Sequence, residues 1–132
     1  LYKSVRNNRF KLTVKTLEKV QAQVVDGLMD NPSHCGDLRQ DPVIIRNPRK
    51  VDEIVFIPPD AKDVKQLTQS LMVFVNQNIG KIEPVILAGI FHRQNVIIHP
   101  FIDGNGRTTR LLTTAILGSA GLDLFEIFLH CL

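Results

Sequence analysis

The chain has no tryptophan and one tyrosine, and its seven phenylalanines fall mostly at apolar-periodic positions. A weak single-stranded nucleic-acid site stacks bases on aromatic platforms, so that class is set aside. Sixteen Lys and Arg stand against thirteen Asp and Glu, a net charge of +3. The basic residues are scattered instead of forming a run, a bias that suits an anionic ligand but not a nucleic-acid partner. Cysteine is scarce too: Cys35 and Cys131 lie far apart with no CxxC or Cys/His spacing around them. Neither a disulfide framework nor a zinc site is implied, and a reducing compartment is expected. No apolar window reaches the length of a membrane span, and the initial "LYKSVRNNRFK" lacks an apolar signal core. The expectation is a cytoplasmic protein with no membrane partner; a translocated effector is the alternative.

What is present is enough for a folded domain. Hydrophobic residues make up 44% of the 132 positions and charged residues 22%, which argues against disorder. One domain over 1–132 is expected, a whole protein or a piece of a longer one, with its core at roughly 30–130 and an N-terminal helix over 1–30. In "FKLTVKTLEKVQAQVVDGLMD", Phe10, Val14, Leu17, Val20, Val24 and Leu28 recur at helical spacing. A loop rich in Asn, Pro, Ser, Gly and Asp follows. Two β-branched runs around Asn47-Pro48-Arg49-Lys50 then predict a small hairpin, Val43 to Ile45 against Ile54 to Ile57, lying over helices because an isolated hairpin is marginal in water.

Pro58-Pro59 stops the second strand, and Asp60 is a candidate N-cap for a helix over about 61–78 with Val64, Leu67, Leu71 and Val75 on one stripe. Gly80 ends it. Glu83-Pro84 opens a nearly continuous apolar segment through "VILAGIFHRQNVII", predicted to be the central helix. After it, "RTTRLLTTAILGSAGLDLFEIFLHCL" predicts a helix with Leu111, Leu112, Ala115 and Ile116 on its apolar face. Gly118 and Gly121 are placed as C-cap, and a further apolar helix follows. The fold class expected is mainly α, a compact helical domain carrying one small β-hairpin.

Between the central helix and the next lies "HPFIDGNGRTTRLL". Gly104 and Gly106 around Asn105 let the backbone take positive φ and turn several N–H groups, with the positive end of the following helix, toward one point. The same triplet also serves as a plain tight connection. Arg107 and Arg110, three apart, share a helix face roughly opposite Leu112, Ala115 and Ile116. They read either as a polyphosphate clamp or as a solvated basic face. Asp103 beside a phosphate makes sense if Mg²⁺ sits between the two anions; otherwise it is a loop aspartate bonding the following backbone. His99, before Pro100, could take a proton from an attacking hydroxyl, or could be a core histidine satisfied by the backbone. His92 reads as structural or exposed. Phe101 is an apolar peg fixing the loop.

In combination these residues resemble the Fic-domain signature HxFx[D/E]GNGRxxR, which His99, Phe101, Asp103, Gly104, Asn105, Gly106, Arg107 and Arg110 match at every fixed position. "FIPPD" leading into a helix and a hairpin after Gly36-x-x-Arg39 extend the resemblance over about 30–130. The resemblance implies a Fic-type helical domain that transfers AMP from ATP to a Ser, Thr or Tyr hydroxyl of a target protein, the chain itself included, with ATP as substrate and Mg²⁺ as cofactor. It implies His99 as base and Asp103 as metal ligand. It also implies Gly104, Asn105 and Gly106 as phosphate binders, with Arg107 near the β-phosphate and Arg110 near the γ-phosphate. The hairpin resembles the family's flap, making Val43, Ile44, Ile45 and Arg46, or 54–57 opposite, the expected target-docking edge.

Many such proteins are restrained by a helix carrying [S/T]xxxE[G/N], whose glutamate pairs with the second motif arginine. No match occurs in this chain, since "TVKTLEK" has the wrong spacing. An inhibitory helix beyond these residues or an antitoxin-type partner is therefore expected, or no restraint at all. UMP, GMP or phosphocholine transfer and AMP removal are the alternatives within enzymes. From another class stands a silenced nucleotide-binding module.

Overall fold

The computed structural model describes residues 11–29 and 32–122. Helix α1 is Val14–Val25, followed by a single 3₁₀ turn at Pro32–His34; strands β1, Ile45–Asn47, and β2, Lys50–Phe56, form the hairpin. Helices α2, Ala61–Asn78, α3, Pro84–Ile98, and α4, Asn105–Ser119, complete the order. Among the described residues the architecture is four helices with one two-stranded antiparallel sheet, the mainly α domain with one small hairpin that the sequence predicts.

Helix α3 packs most extensively on α4 and also on α2, while α1 lies against α4 and touches α2. Phe91 of α3 and Phe101 of the loop after it are fully buried, each adding about 1.5–3 kcal/mol by removal from water. Glu83 caps α3 by accepting from the Val85 and Ile86 N–H groups, with Pro84 in the first turn where no donor is needed. The apolar run of α3 is not buried on all sides, since Val85 and Ile86 are exposed.

Several sequence boundaries shift. Helix α1 starts after Thr13, whose Oγ1 accepts from the Thr16 N–H at 3.0 Å, and not at Phe10, which lies outside the described residues. It ends at Val25, leaving Leu28 exposed beyond the Gly27 turn. In α2 the side chain of Asp60 makes no cap bond, and Leu67 is partly exposed where Thr68 and Met72 are buried. Gly118 lies inside α4, and Gly121, with φ 82°, follows its Ala120 cap; Leu111 is exposed. The further apolar helix expected after it falls outside the described residues.

The hairpin departs most from expectation. Its register pairs Ile45 with Phe56, Arg46 with Ile54 and Asn47 with Lys50, so Val43 and Ile44 precede β1 and Ile57 follows β2. All seven β2 residues are exposed, and no described helix lies against the sheet. The hairpin projects from the helices instead of covering them. It is held by its own turn: the Asn47 side chain accepts from the Arg49 N–H and donates to Glu53.

Candidate active site

His99 caps α3 with φ 51° and ψ 64° and is the one non-glycine residue with positive φ among those described. Pro100 disfavours helical geometry in the residue before it, so the chain turns out of the helix here, while the His99 N–H still donates to the Asn95 carbonyl at 3.0 Å. Left-handed backbone at a non-glycine residue costs of order 1–3 kcal/mol and persists where its surroundings fix it. Arg39 does the fixing. Its Nε donates to the His99 carbonyl at 2.7 Å, its Nη2 to the Ile98 and Pro59 carbonyls at 3.3 and 2.6 Å, and its Nη1 to the Asp41 carbonyl at 3.1 Å. The Arg39 N–H donates to the Pro100 carbonyl at 2.8 Å. Three consecutive carbonyls at the end of α3 thus rest on one buried residue.

The His99 imidazole is half-buried. Burial lowers its pKa below the ordinary value; the Val96 backbone opposes this, and the Arg39 charge adds to the lowering. The ring is therefore neutral at pH 7, with a lone pair able to accept a proton. His92 lies two turns earlier on α3, its Nδ1 at 3.1 Å from the Thr113 Oγ1, joining α3 to α4.

Phe101 anchors the next turn, and Asn105 locks it. The Asn105 Oδ1 accepts from the Phe101 N–H at 2.9 Å and its Nδ2 donates to the Phe101 carbonyl at 2.7 Å. This side chain is buried and committed to the loop, so the Asn105 contribution facing outward is its backbone N–H. Thr109 and Asn95 extend the lock: the Asn95 Nδ2 donates to the Thr109 Oγ1, which donates to the Asn105 carbonyl.

Gly104 takes φ 79°, and a Cβ there would stand 2.5 Å from the Val25 Cγ1 of α1, so this glycine is required twice over. Gly106, expected to share that conformation, is instead helical. Its bareness leaves room for Arg110, whose Nη1 is 3.4 Å from where a Cβ would be. The first backbone bond of α4 runs from the Thr108 N–H to the Gly104 carbonyl. The N–H groups of Asn105, Gly106 and Arg107 meet no acceptor among the described residues, the usual state of a helix start and a natural anion cradle.

The two arginines diverge. Arg107 turns back, Nη2 3.3 Å from the Asp103 Oδ2 and Nη1 3.4 Å from the Val24 carbonyl. Arg110 is exposed over Gly106, with no ion pair among the described residues. The Asp103 Oδ1 accepts from the Gly104 N–H at 2.6 Å, and its carboxylate stays about half exposed. Of the hairpin residues, Ile45 and Arg46 lie in β1, and Arg46 donates to the Val51 carbonyl across the hairpin. Sequence reasoning missed Gln21, Asn95 and Thr109. Gln21 left a signal, a polar residue at the i+4 position between Leu17 and Val25 on a core stripe.

The fold has counterparts. A Fic domain containing signaling protein from Bacteroides thetaiotaomicron superposes with a TM-score of 0.76 over 90% of this chain and 43% of its own, at 24% identity. A Fic family protein from Desulfovibrio desulfuricans gives 0.63 over 88% of this chain and 33% of its own, at 28% identity. In sequence, the chain is 34% identical over 114 residues to the protein adenylyltransferase Fic of Drosophila erecta and 32% to that of Drosophila ananassae. It is covered to 86% in both matches. It spans about a fifth, 21%, of the length of those relatives. The family model described as Fic/DOC family matches residues 11–117. The chain belongs to the Fic/DOC family.

Proposed function

We propose that this chain carries the catalytic portion of a protein adenylyltransferase, moving AMP from ATP to a Ser, Thr or Tyr hydroxyl of a target protein. The observation that carries the reading is the short loop 99–105, locked at both ends, which joins a neutral imidazole at the end of α3 to the open N–H groups starting α4. The names of the Drosophila relatives support the choice of AMP.

The α4 start and Arg110 bind the β- and γ-phosphates, with Arg107 beside them. His99 accepts the proton of the target hydroxyl as its oxygen bonds to the α-phosphorus. The bond from that phosphorus to the bridging oxygen breaks on the far side, and pyrophosphate departs with the electron pair. The donor set fits Mg²⁺ in its common form, one exposed carboxylate supplemented by substrate oxygens and water. Asp103 would hold it, its Oδ2 released by Arg107 and its Oδ1 still steadied by Gly104. The ion supplies neutralisation of phosphate charge. No group of three His, Cys, Asp or Glu that could hold a metal without substrate exists among the described residues.

The projecting hairpin supports a docking role for a target segment. Both strands are edges, β2 is exposed throughout, and an extended peptide could pair with either. The test is intact-mass measurement of the chain and of candidate target proteins after incubation with ATP and Mg²⁺. Addition of one AMP per modified hydroxyl, absent with His99→Ala, supports the reading; addition of a phosphate alone overturns it.

A further inference from the structure

Gln21 is fully buried in α1, in the row Leu17, Gln21, Val25, where an apolar side chain would pack without needing partners. Its amide is instead engaged at both ends. Oε1 accepts from the Gly36 N–H at 2.6 Å, and Nε2 donates to the Asp103 backbone carbonyl at 3.1 Å while facing the Met29 sulfur at 3.9 Å.

These two bonds reach opposite halves of the site. Asp103 and Gly104 begin the phosphate side, and α1 touches that side twice more, through Val25 against Gly104 and through the Val24 carbonyl against Arg107. Gly36 stands three residues before Arg39, whose guanidinium holds the His99 and Ile98 carbonyls on the base side. One amide therefore ties the segment that fixes the base to the loop that fixes the cradle.

We propose that Gln21 is a positioning residue that sets the separation of His99 from the Asp103–Gly104 loop. This rests on the adenylyltransferase reading for its kinetic consequence but not for its geometry. The cradle itself starts α4 and keeps its shape without Gln21. Loss of the tie displaces cradle from base, and a shift of about 1 Å in reacting groups can cost roughly 100-fold in rate.

Two variants of the chain test it. Gln21→Met keeps the volume and removes both bonds, whereas Gln21→Glu, at a pH where it is the carboxylate, still accepts from Gly36 but cannot donate to the Asp103 carbonyl. Amide hydrogen exchange of the folded proteins should show faster exchange at Gly36 and Gly104 in the Met variant, and at Gly104 alone in the Glu variant. AMP transfer at saturating ATP should fall about 100-fold in both, with the KM for ATP changed by less than about 3-fold. Wild-type protection at Gly104 in both variants overturns the proposal, as does a loss of rate matched by an equal loss of ATP-binding protein. If the wild-type chain transfers no AMP, the adenylyltransferase reading fails, and the exchange pattern still decides the role of Gln21.

Discussion

Arg39 donates through Nε to the His99 carbonyl at 2.7 Å, joining a buried cation on the loop after α1 to a left-handed residue at the end of α3. The planar guanidinium presents five donors in a fixed fork, so one side chain serves four carbonyls. Replacement by Met leaves those acceptors without their donor. Arg39→Met should lower stability by about 3 kcal/mol, read from the denaturant midpoint. Arg39→Lys should recover less than half of it, because a compact ammonium cannot reproduce the fork.

Gly104 and Gly106 should separate fold from function. Gly104→Ala meets both the positive φ and the Val25 methyl, and should cost more than about 2 kcal/mol. Gly106→Ala is helical and should hold or gain up to about 1 kcal/mol. It should weaken ATP binding, since the new methyl crowds Arg110 and the exposed N–H groups. Paired thermal unfolding and calorimetric ATP titrations check the contrast.

The lowered pKa of His99 fixes the sign of two pH effects. Burial favours the neutral ring, so the transfer rate should rise along an acid limb whose midpoint lies below the ordinary imidazole value and then level off. The folded pKa lies under the unfolded one, so the unfolded chain takes up the proton first. The stability contribution is fully present above the ordinary value and is lost as pH falls through the folded pKa. His99→Asn, which tolerates left-handed backbone, should remove the acid limb of stability together with activity, while His99→Ala keeps the backbone strain. Unfolding midpoints of the three proteins across pH 5 to 8 give the comparison.

Much of this was legible in the chain. The periodicity of Val64, Leu71 and Val75, the Glu83-Pro84 start and the motif from His99 to Arg110 locate three helices and the loop between two of them. The first hairpin strand is expected too early because β-branched Val43 and Ile44 carry the same local preference as Ile45, and the second too late because Lys50, Asp52 and Glu53 are polar; pairing is decided by the turn at Asn47. Its projection was not legible either, since exposure of β2 depends on which helices pass nearby. The resemblance makes Asn105 a phosphate binder, whereas a partner four residues back, Phe101, takes both the donor and the acceptor of its side chain. Arg39 and Gln21 act across 60 and 82 positions of sequence, a distance that local patterns do not register.

Arg110 has no ion pair among the described residues and lies exposed over the α4 start. Arg110→Ala should therefore leave stability within about 0.5 kcal/mol. Loss of one charge-assisted contact to phosphate should weaken ATP binding roughly tenfold while barely changing that of AMP, which lacks the outer phosphates. Calorimetric titration with each nucleotide measures both.

The central claim is that the neutral His99 and the α4 cradle act together on the α-phosphate of ATP. Parallel reactions of the chain with α-labelled and γ-labelled ATP, Mg²⁺ and protein hydroxyl substrates test it most directly. The account predicts label on protein from the α position alone, release of the γ label as pyrophosphate, and neither in His99→Ala although that variant still binds ATP. Protein that retains the γ label, or α label transferred undiminished by His99→Ala, would contradict it.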